Sequence, residues 1–287
     1  MPVITYTDLN VGLGSKWFRA FRPTAKYCME TEVHVYGLAI AASVLLSFFP
    51  FLIVMVSLCR YVFHWSAAVD AIYISLQDYF PGELGAFVKR NLEATVMSRG
   101  PAQFTSILLL LFTANGIFEP LEVALNRVWR VKENRSYWKN QLVSLGLIFA
   151  CGSLALMSFV FTALNKVYLA RMFGGAFRTP VWTSLVFFKL AALPLSILAL
   201  FLIYWLLPHR TIRPIWVAAV SILVGIGLEL VKYVNLLVWP LLYEKLTREY
   251  GPFKFSVTIL LSSFVVAIVV LAGAHWAAGR LPPSELS

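Results

Sequence analysis

Long apolar blocks separated by short charged stretches limit what this chain can fold into more than any other feature. A helix needs about 20 apolar residues, within a range of roughly 17–25, to cross the hydrocarbon core of a bilayer. Five blocks reach that length: 36–59, 142–164, 181–207, 215–231 and 255–278. A sixth block, 104–118, reaches it only if its helix continues through Pro120. The sequence therefore predicts an all-α fold, an integral membrane bundle of six transmembrane helices.

The composition agrees with a membrane protein, because 60% of the 287 residues are hydrophobic and only 13% are charged. Soluble domains have roughly 45–50% apolar and about 25% charged residues. The net charge of +10 could indicate nucleic acid, but the basic residues cluster at the ends of the apolar blocks. Lipid headgroups lie at that level of a membrane protein. We therefore expect membrane lipids with anionic headgroups as partners, and no nucleic acid.

The blocks divide the chain into three parts. Residues 1–35 are predicted to be a cytoplasmic N-terminal segment with a basic amphipathic helix around Trp17, Phe18 and Phe21. The transmembrane domain follows over 36–278, and 279–287 form a short cytoplasmic tail. The loop after the second block is the densest in Lys and Arg, and short basic loops favour the cytoplasm. With six spans, both termini are therefore predicted to be cytoplasmic.

The longest connection, residues 64–102, has its own helical pattern. Apolar residues recur at helical spacing on both sides of Pro81 and Gly82, which together indicate a turn. This pattern predicts an external helical hairpin between spans one and two. Its apolar faces must rest on the membrane or on the other spans. The positions are Trp65, Ala68, Ile72, Leu76, Tyr79, Leu84, Phe87, Val88, Leu92 and Val96.

Small residues four positions apart recur within the apolar blocks. The pairs are Gly37 with Ala41, Ser221 with Gly225, and Gly273 with Ala277. This spacing is typical of membrane helices whose backbones approach closely. It predicts helix packing rather than chemistry.

Ionisable residues within the apolar blocks are a stronger clue to function, since a charge at the centre of a membrane helix costs about 2.5–3.5 kcal/mol on insertion scales. Lys189 lies in the fourth block, Glu229 in the fifth, and Lys232 at its end. They predict a polar cavity, or, with equal weight, lysines that reach the outer headgroups while Glu229 neutralises one of them. Pro50 and Pro194 lie inside the first and fourth blocks and are candidate hinges.

The stretch GIFEPLEVALNRVWRVKENRSYWKNQ, residues 116–141, is predicted to be a helix that leaves the membrane with one side still packed. Its apolar stripe consists of Phe118, Leu121, Leu125, Val128 and Trp129, and its polar stripe of Glu119, Glu122, Asn126, Arg130 and Glu133. Asn126, Arg127 and Arg130 are candidate substrate or cavity residues. Capping of the helix and anchoring at the headgroups is the equally weighted alternative.

Catalytic and metal-binding patterns are absent from the sequence. The four histidines are far apart and do not form a metal-binding spacing, and no serine or cysteine lies in a nucleophile motif. We therefore expect no enzyme activity, no catalytic residue, no metal and no cofactor.

Several of these stretches resemble the YihY / virulence factor BrkB family of bacterial inner-membrane proteins. They are SFFP at 47–50, ALNRVWRVKENRSYWK at 124–139, LLPHRTIRPIWVAAV, ELVKYV at 229–234, and LAGA at 271–274. The resemblance covers roughly residues 20–278, and it departs from the family after Tyr250, where VTILLSSF replaces an aromatic-rich stretch. It implies a six-helix protein of the bacterial inner (plasma) membrane. The label ribonuclease BN, sometimes applied to this family, has no support in these residues.

The family resemblance and the intramembrane charges together favour a transporter or translocation factor for a lipid or other amphiphile of the cell envelope. No ATPase motif is visible, so a gradient, a partner or downhill flow would supply the energy. The alternative is a non-catalytic membrane scaffold that binds an envelope partner protein through the hairpin or the basic loop.

Overall fold

The computed structural model describes residues 22–79, 83–97, 101–131, 136–172, 181–209 and 213–279. Within them, the helical residues 77–79, 101–104, 106–107, 110–116, 137, 161–172, 181–192, 236 and 239 are described by their backbone alone. Every regular element in these ranges is helical and none is a strand, which confirms the all-α prediction. The predicted amphipathic helix around Trp17 and the tail beyond Gly279 lie outside the described residues.

Nine α-helices and two short helical turns follow one another along the described chain. They are α1 (22–28), α2 (Thr31–Ser57) with a π-helix (Leu58–Val62), α3 (Ser66–Tyr79), α4 (Glu83–Met97), α5 (Pro101–Val128), α6 (Tyr137–Met172), α7 (Val181–Leu206), α8 (Pro214–Tyr250), a 3-10 turn (Gly251–Phe253) and α9 (Lys254–Ala278). Helix α5 continues through Pro120, as its sequence required for a helix of that length.

Four helical stretches of the described residues are long and apolar enough to cross a membrane. They are Thr31–Val62, Trp138–Val160, Pro214–Asn235 and Pro240–Ala278, and shorter apolar stretches lie at Ser66–Leu76 and Leu193–Leu206. Large apolar side chains such as Leu142, Ile226 and Leu230 are exposed on these helices. An exposed apolar face on a long helix is expected where lipid tails are the solvent.

The buried residues form two separate clusters. The first cluster joins the first half of α2 to α5, α6, α7, α8 and the second half of α9, and it includes Val33, Ile40, Leu125, Trp129, Leu147, Tyr204, Leu207, Val224 and Leu271. The second cluster joins the second half of α2 to α3 and α4, and it includes Leu52, Val56, Cys59, Ala68, Ile72, Leu76, Leu84, Val88, Leu92 and Val96. Seven of the ten apolar positions predicted for 64–102 are therefore buried, whereas Phe87 is half-buried and Trp65 is exposed. The side chain of Tyr79 lies outside the described residues.

Three glycines allow neighbouring helices to approach closely, as the spacing of small residues predicted. A Cβ atom added to Gly37 would lie 3.0 Å from Ile268 Cδ1, where α2 meets α9. One added to Gly225 would lie 2.7 Å from Ile197 Cγ1, where α8 meets α7. One added to Gly273 of α9 would collide with Val224 Cγ2 of α8. Each glycine thus belongs to a different helix interface.

Candidate functional site

Helix α5 ends in a hydrogen-bonded turn that places Arg130 in an unusual backbone conformation. The Val131 N–H donates to the Asn126 carbonyl oxygen (2.8 Å), and the Arg130 N–H donates to that of Arg127 (3.2 Å). This pair of bonds is the Schellman pattern, in which glycine usually takes the left-handed position. Arg130 takes it here, with φ of 54°. A left-handed residue with a Cβ costs about 1 kcal/mol or more.

Asn126 and Glu122 face the interior of the bundle. Asn126 is 2% exposed and Glu122 is 3% exposed, whereas Glu119 and Arg130 are exposed to the surroundings. The predicted polar stripe is therefore divided between two faces, and Glu133 lies outside the described residues. Burial is possible for Asn126 because its Oδ1 accepts a hydrogen bond from the His209 N–H (3.0 Å) in the turn between α7 and α8.

Arg127 joins α5 to α2. Its guanidinium lies 2.6 Å from the Glu32 carboxylate and donates a second hydrogen bond to the Tyr36 hydroxyl. Both partners lie near the start of α2, and both side chains of the ion pair remain more than half exposed. The ion pair links the two helices, and the choice between a cavity role and anchoring for Arg127 stays a prediction.

A half-open cavity of about 290 Å³ lies beside this ion pair, at what we call the α5 end of the bundle: the ends of α5 and α9 and the start of α2. Its polar lining is Tyr27, Glu30, Arg127, Arg130 and His275. The rings of Tyr27 and His275 are stacked with their centroids 4.3 Å apart, and Thr24 Oγ1 lies 3.3 Å from His275 Nδ1. The cavity thus has an aromatic wall and charged groups of both signs.

The charges predicted inside the fifth apolar block form an ion pair on α8. Lys232 Nζ lies 3.5 Å from Glu229 Oε1, and the two side chains are 38% and 30% exposed. Leu230 and Val234, on the adjoining face, are exposed. The side chain of Lys189 lies outside the described residues, so of the two expected lysine partners only Lys232 can be placed.

The two candidate hinges lie inside continuous helices. Helix α2 runs through Pro50, which is buried, and α7 runs through Pro194, which is exposed. Their role as hinges stays a prediction.

Sequence reasoning missed a polar cluster at the opposite end of the bundle, where α4 begins, α8 ends and α9 begins. Tyr243 Oη donates a hydrogen bond to Glu83 Oε2 (2.5 Å), and Lys254 Nζ lies 2.9 Å from both oxygens. The Lys254 side chain is 15% exposed and covers the rings of Tyr243 and Phe255, at 4.6 and 5.0 Å from their centroids. No local motif could have predicted this cluster, because Glu83 is 160 positions from Tyr243.

Comparison with known proteins decides the family. The sequence model of the family described as virulence factor BrkB matches residues 25–281. The chain belongs to the BrkB family.

Other BrkB-family relatives are named UPF0761 membrane proteins. That of Chlorobium phaeobacteroides is 26% identical over 95% of this chain and 60% of its own length. That of Acinetobacter baylyi is 30% identical over 50% of this chain and 31% of its own length. One from Stenotrophomonas maltophilia is 27% identical over 69% of this chain and 46% of its own length. This chain thus spans 60% or less of the length of these relatives. No solved structure matches it.

The cluster around Glu83 predicts a pH dependence of stability in this BrkB-family protein. Hydrogen bonds from Tyr243 and Lys254, and the charge of Lys254, lower the pKa of Glu83 below its ordinary value of 4.5. A lowered pKa stabilises the folded state above pH 4.5, and that contribution is lost as pH falls through the folded-state pKa. The Glu83→Gln variant should therefore have a lower melting temperature than wild type at pH 7. This difference in melting temperature should shrink as the pH falls.

Thermal melting in detergent between pH 7 and pH 3 checks this expectation. Glu93→Gln is the matched control on the same helix, because its exposed contact with Lys89 is longer, at 3.8 Å, and such pairs contribute little. A gap for Glu83→Gln that stays constant with pH would contradict the prediction.

Proposed function

We propose that this chain is a multi-pass inner-membrane protein that moves a membrane amphiphile across the bilayer. The observation that carries the proposal is the Glu229–Lys232 ion pair inside the apolar part of α8. Helix α8 rises about 1.5 Å per residue, so Glu229 lies roughly 22 Å beyond Pro214 along a helix that crosses about 30 Å of hydrocarbon. Charges at that depth usually face a watery or protein-lined route rather than lipid tails.

The proposed arrangement has six spans, α2, α5, α6, α7, α8 and α9. Each of these helices has between 25 and 37 residues, which is at least the length that a span requires. An even number of spans returns the chain to the side where it started. In this arrangement the α5 end of the bundle is cytoplasmic, with Arg127 and Arg130 at the headgroup level, and the α3–α4 pair lies on the external side as a hairpin.

The Glu229–Lys232 pair supports movement of a polar headgroup because each charge has an opposite charge beside it in the absence of the amphiphile. A passing headgroup can exchange its own charges with those of the pair, so that no charge crosses the apolar region alone. The proposed process includes no bond making or breaking. It therefore needs a gradient, a partner or downhill flow as its source of energy.

Glu229→Gln should slow this movement by about threefold or more, because the carboxylate 3.5 Å from Lys232 Nζ is removed and the route then carries one more net positive charge. The protein would be reconstituted into vesicles that contain fluorescent phosphatidylglycerol or phosphatidylethanolamine. A membrane-impermeant quencher, dithionite, then reports how quickly the labelled lipid reaches the outer leaflet. Protein-free vesicles give the background rate.

Glu249→Gln is the matched control, because Glu249 also lies on α8 and pairs with a lysine, Lys245 (3.9 Å), but at the exposed end of the helix. It should move lipid at the wild-type rate. Equal rates for the two variants would remove the ion pair from the route. Wild-type vesicles no faster than protein-free ones, with a tightly copurifying envelope protein, would favour the scaffold alternative instead.

A further inference from the structure

The left-handed backbone of Arg130 indicates that its side chain is needed where it lies. Glycine adopts this conformation without steric cost, whereas any residue with a Cβ is strained there. Strained residues of this kind cluster at functional sites. The Schellman hydrogen bonds at the end of α5 use only backbone atoms, so glycine would satisfy them equally well. Helix capping therefore does not account for arginine at this position.

The cavity at the α5 end gives the Arg130 side chain a place to act. Its volume of about 290 Å³ corresponds to roughly ten water molecules at ~30 Å³ each, which suits a small phosphate ester. The guanidinium of Arg127 is already engaged by Glu32 and Tyr36. Arg130 and Glu30 are the other charged residues of the lining.

Glu30 distinguishes this cavity from a simple anion site. Burial raises the pKa of Tyr27 to about 12, and among the smaller effects the charge of Glu30 raises it while that of Arg127 lowers it. Both charges are thus close to the Tyr27 ring, which stacks on His275. A carboxylate at this point would repel an ester that carries negative charge alone. It would attract a ligand that also carries a cation.

We propose that this cavity binds a phosphate ester that also carries a primary ammonium group, of which phosphoethanolamine is the smallest. The Arg130 guanidinium donates to the phosphate oxygens, a geometry that its planar fork matches. The ammonium group donates to the Glu30 carboxylate beside the ring of Tyr27, which also attracts cations. A trimethylated ammonium has no N–H donor and would bind more weakly.

This inference names the headgroup class of the amphiphile, so its biological meaning rests on the proposed function. Binding itself does not require movement across the bilayer. An experiment can therefore disprove the binding site without disproving transport, or disprove transport without disproving the binding site.

Binding of soluble phosphoethanolamine to the detergent-solubilised protein is the first measurement, with phosphocholine and glycerol phosphate as comparison ligands. Wild type should bind phosphoethanolamine at least about tenfold more tightly than either. Arg130→Gly should lose this binding by about tenfold or more and yet melt ~2 °C or more above wild type, because glycine relieves the left-handed backbone. Glu30→Gln should still bind but should no longer prefer phosphoethanolamine over glycerol phosphate.

Several results would overturn the proposal. One is an Arg130→Gly variant that binds phosphoethanolamine as tightly as wild type. Another is an Arg130→Gly variant that loses binding and also melts at a lower temperature than wild type. A third is a wild-type protein that binds phosphoethanolamine, phosphocholine and glycerol phosphate equally. An Arg130→Gly variant that melts higher but still binds would show that the strain serves another purpose.

Native mass spectrometry of the protein released from nanodiscs distinguishes a lipid from a free ester. The nanodiscs contain equal parts of phosphatidylethanolamine, phosphatidylcholine and phosphatidylglycerol. Retention of phosphatidylethanolamine by wild type and its loss in Arg130→Gly supports a lipid headgroup site. Binding of the free ester without lipid retention supports a soluble ligand, and neither result overturns the site. Loss of binding in Arg130→Gly with unchanged lipid movement would separate the cavity from the transport route.

Discussion

Replacing Gly273 by alanine is expected to lower the melting temperature of the detergent-solubilised protein by ~5 °C or more. The new Cβ atom would collide with Val224 Cγ2 across the α8–α9 interface. Val224 is buried, and a β-branched side chain in a helix has essentially one rotamer, so it cannot turn away. The helices would have to separate, and overpacking of this kind usually costs about 1–3 kcal/mol or more.

Gly146→Ala is the matched control for this substitution. A Cβ atom at Gly146 would have no neighbour within 4 Å, and the residue lies on an exposed face of α6. Alanine should therefore raise stability by about 0.5–1 kcal/mol through its better helix propensity. Fluorescence of the nine tryptophans follows both melts. Equal melting of the two variants would mean that α8 and α9 do not approach at Gly273.

Replacing Asn126 by alanine is expected to destabilise the protein by about 1–3 kcal/mol. The substitution removes the acceptor for the His209 N–H, a bond that ties the end of α5 to the turn between α7 and α8. It also leaves a small cavity among the buried residues of the first cluster, next to Leu125 and Trp129. We therefore expect a lower melting temperature and faster proteolysis of the α7–α8 turn.

Asn235→Ala provides the comparison, because Asn235 is exposed on α8 and the substitution leaves no cavity. It should melt within ~1 °C of wild type. If Asn126→Ala also melts at the wild-type temperature, Asn126 is not a structural link. Its burial would then point to contact with the transported amphiphile.

Helix boundaries were predictable where a strong apolar block ends in a turn. The predicted blocks 181–207 and 255–278 agree closely with α7 (Val181–Leu206) and α9 (Lys254–Ala278). The fifth block was predicted to end at 231, whereas α8 continues to Tyr250. The added residues are mostly good helix formers, and the helix passes through Pro240. The extension contains the apolar run LLVWPLL at 236–242, so the charged residue that ends a hydropathy block need not end the helix.

The candidate site was less predictable than the helices, for physical reasons. The sequence indicated that Asn126, Arg127 and Arg130 lie where α5 leaves the membrane. The helical period, however, assigned apolar residues to one face of α5 and polar residues to the other. In the structure Leu125 and Asn126 are both buried. A polar residue is buried when a distant backbone group satisfies it, and the partner at His209 is 83 positions away. The left-handed conformation of Arg130 has no local signal, because glycine normally marks that position.

We expect the two buried clusters to behave as two cooperative units. Helix α2 supplies Val33 and Ile40 to the first cluster and Leu52 and Val56 to the second, whereas α3 and α4 contribute their buried residues only to the second. Opening of the α3–α4 pair therefore leaves the contacts of the first cluster in place. Backbone amides in these two helices can exchange with solvent through such a partial opening, at a free energy below that of global unfolding. We therefore expect α3 and α4 to open while the helices of the first cluster stay folded.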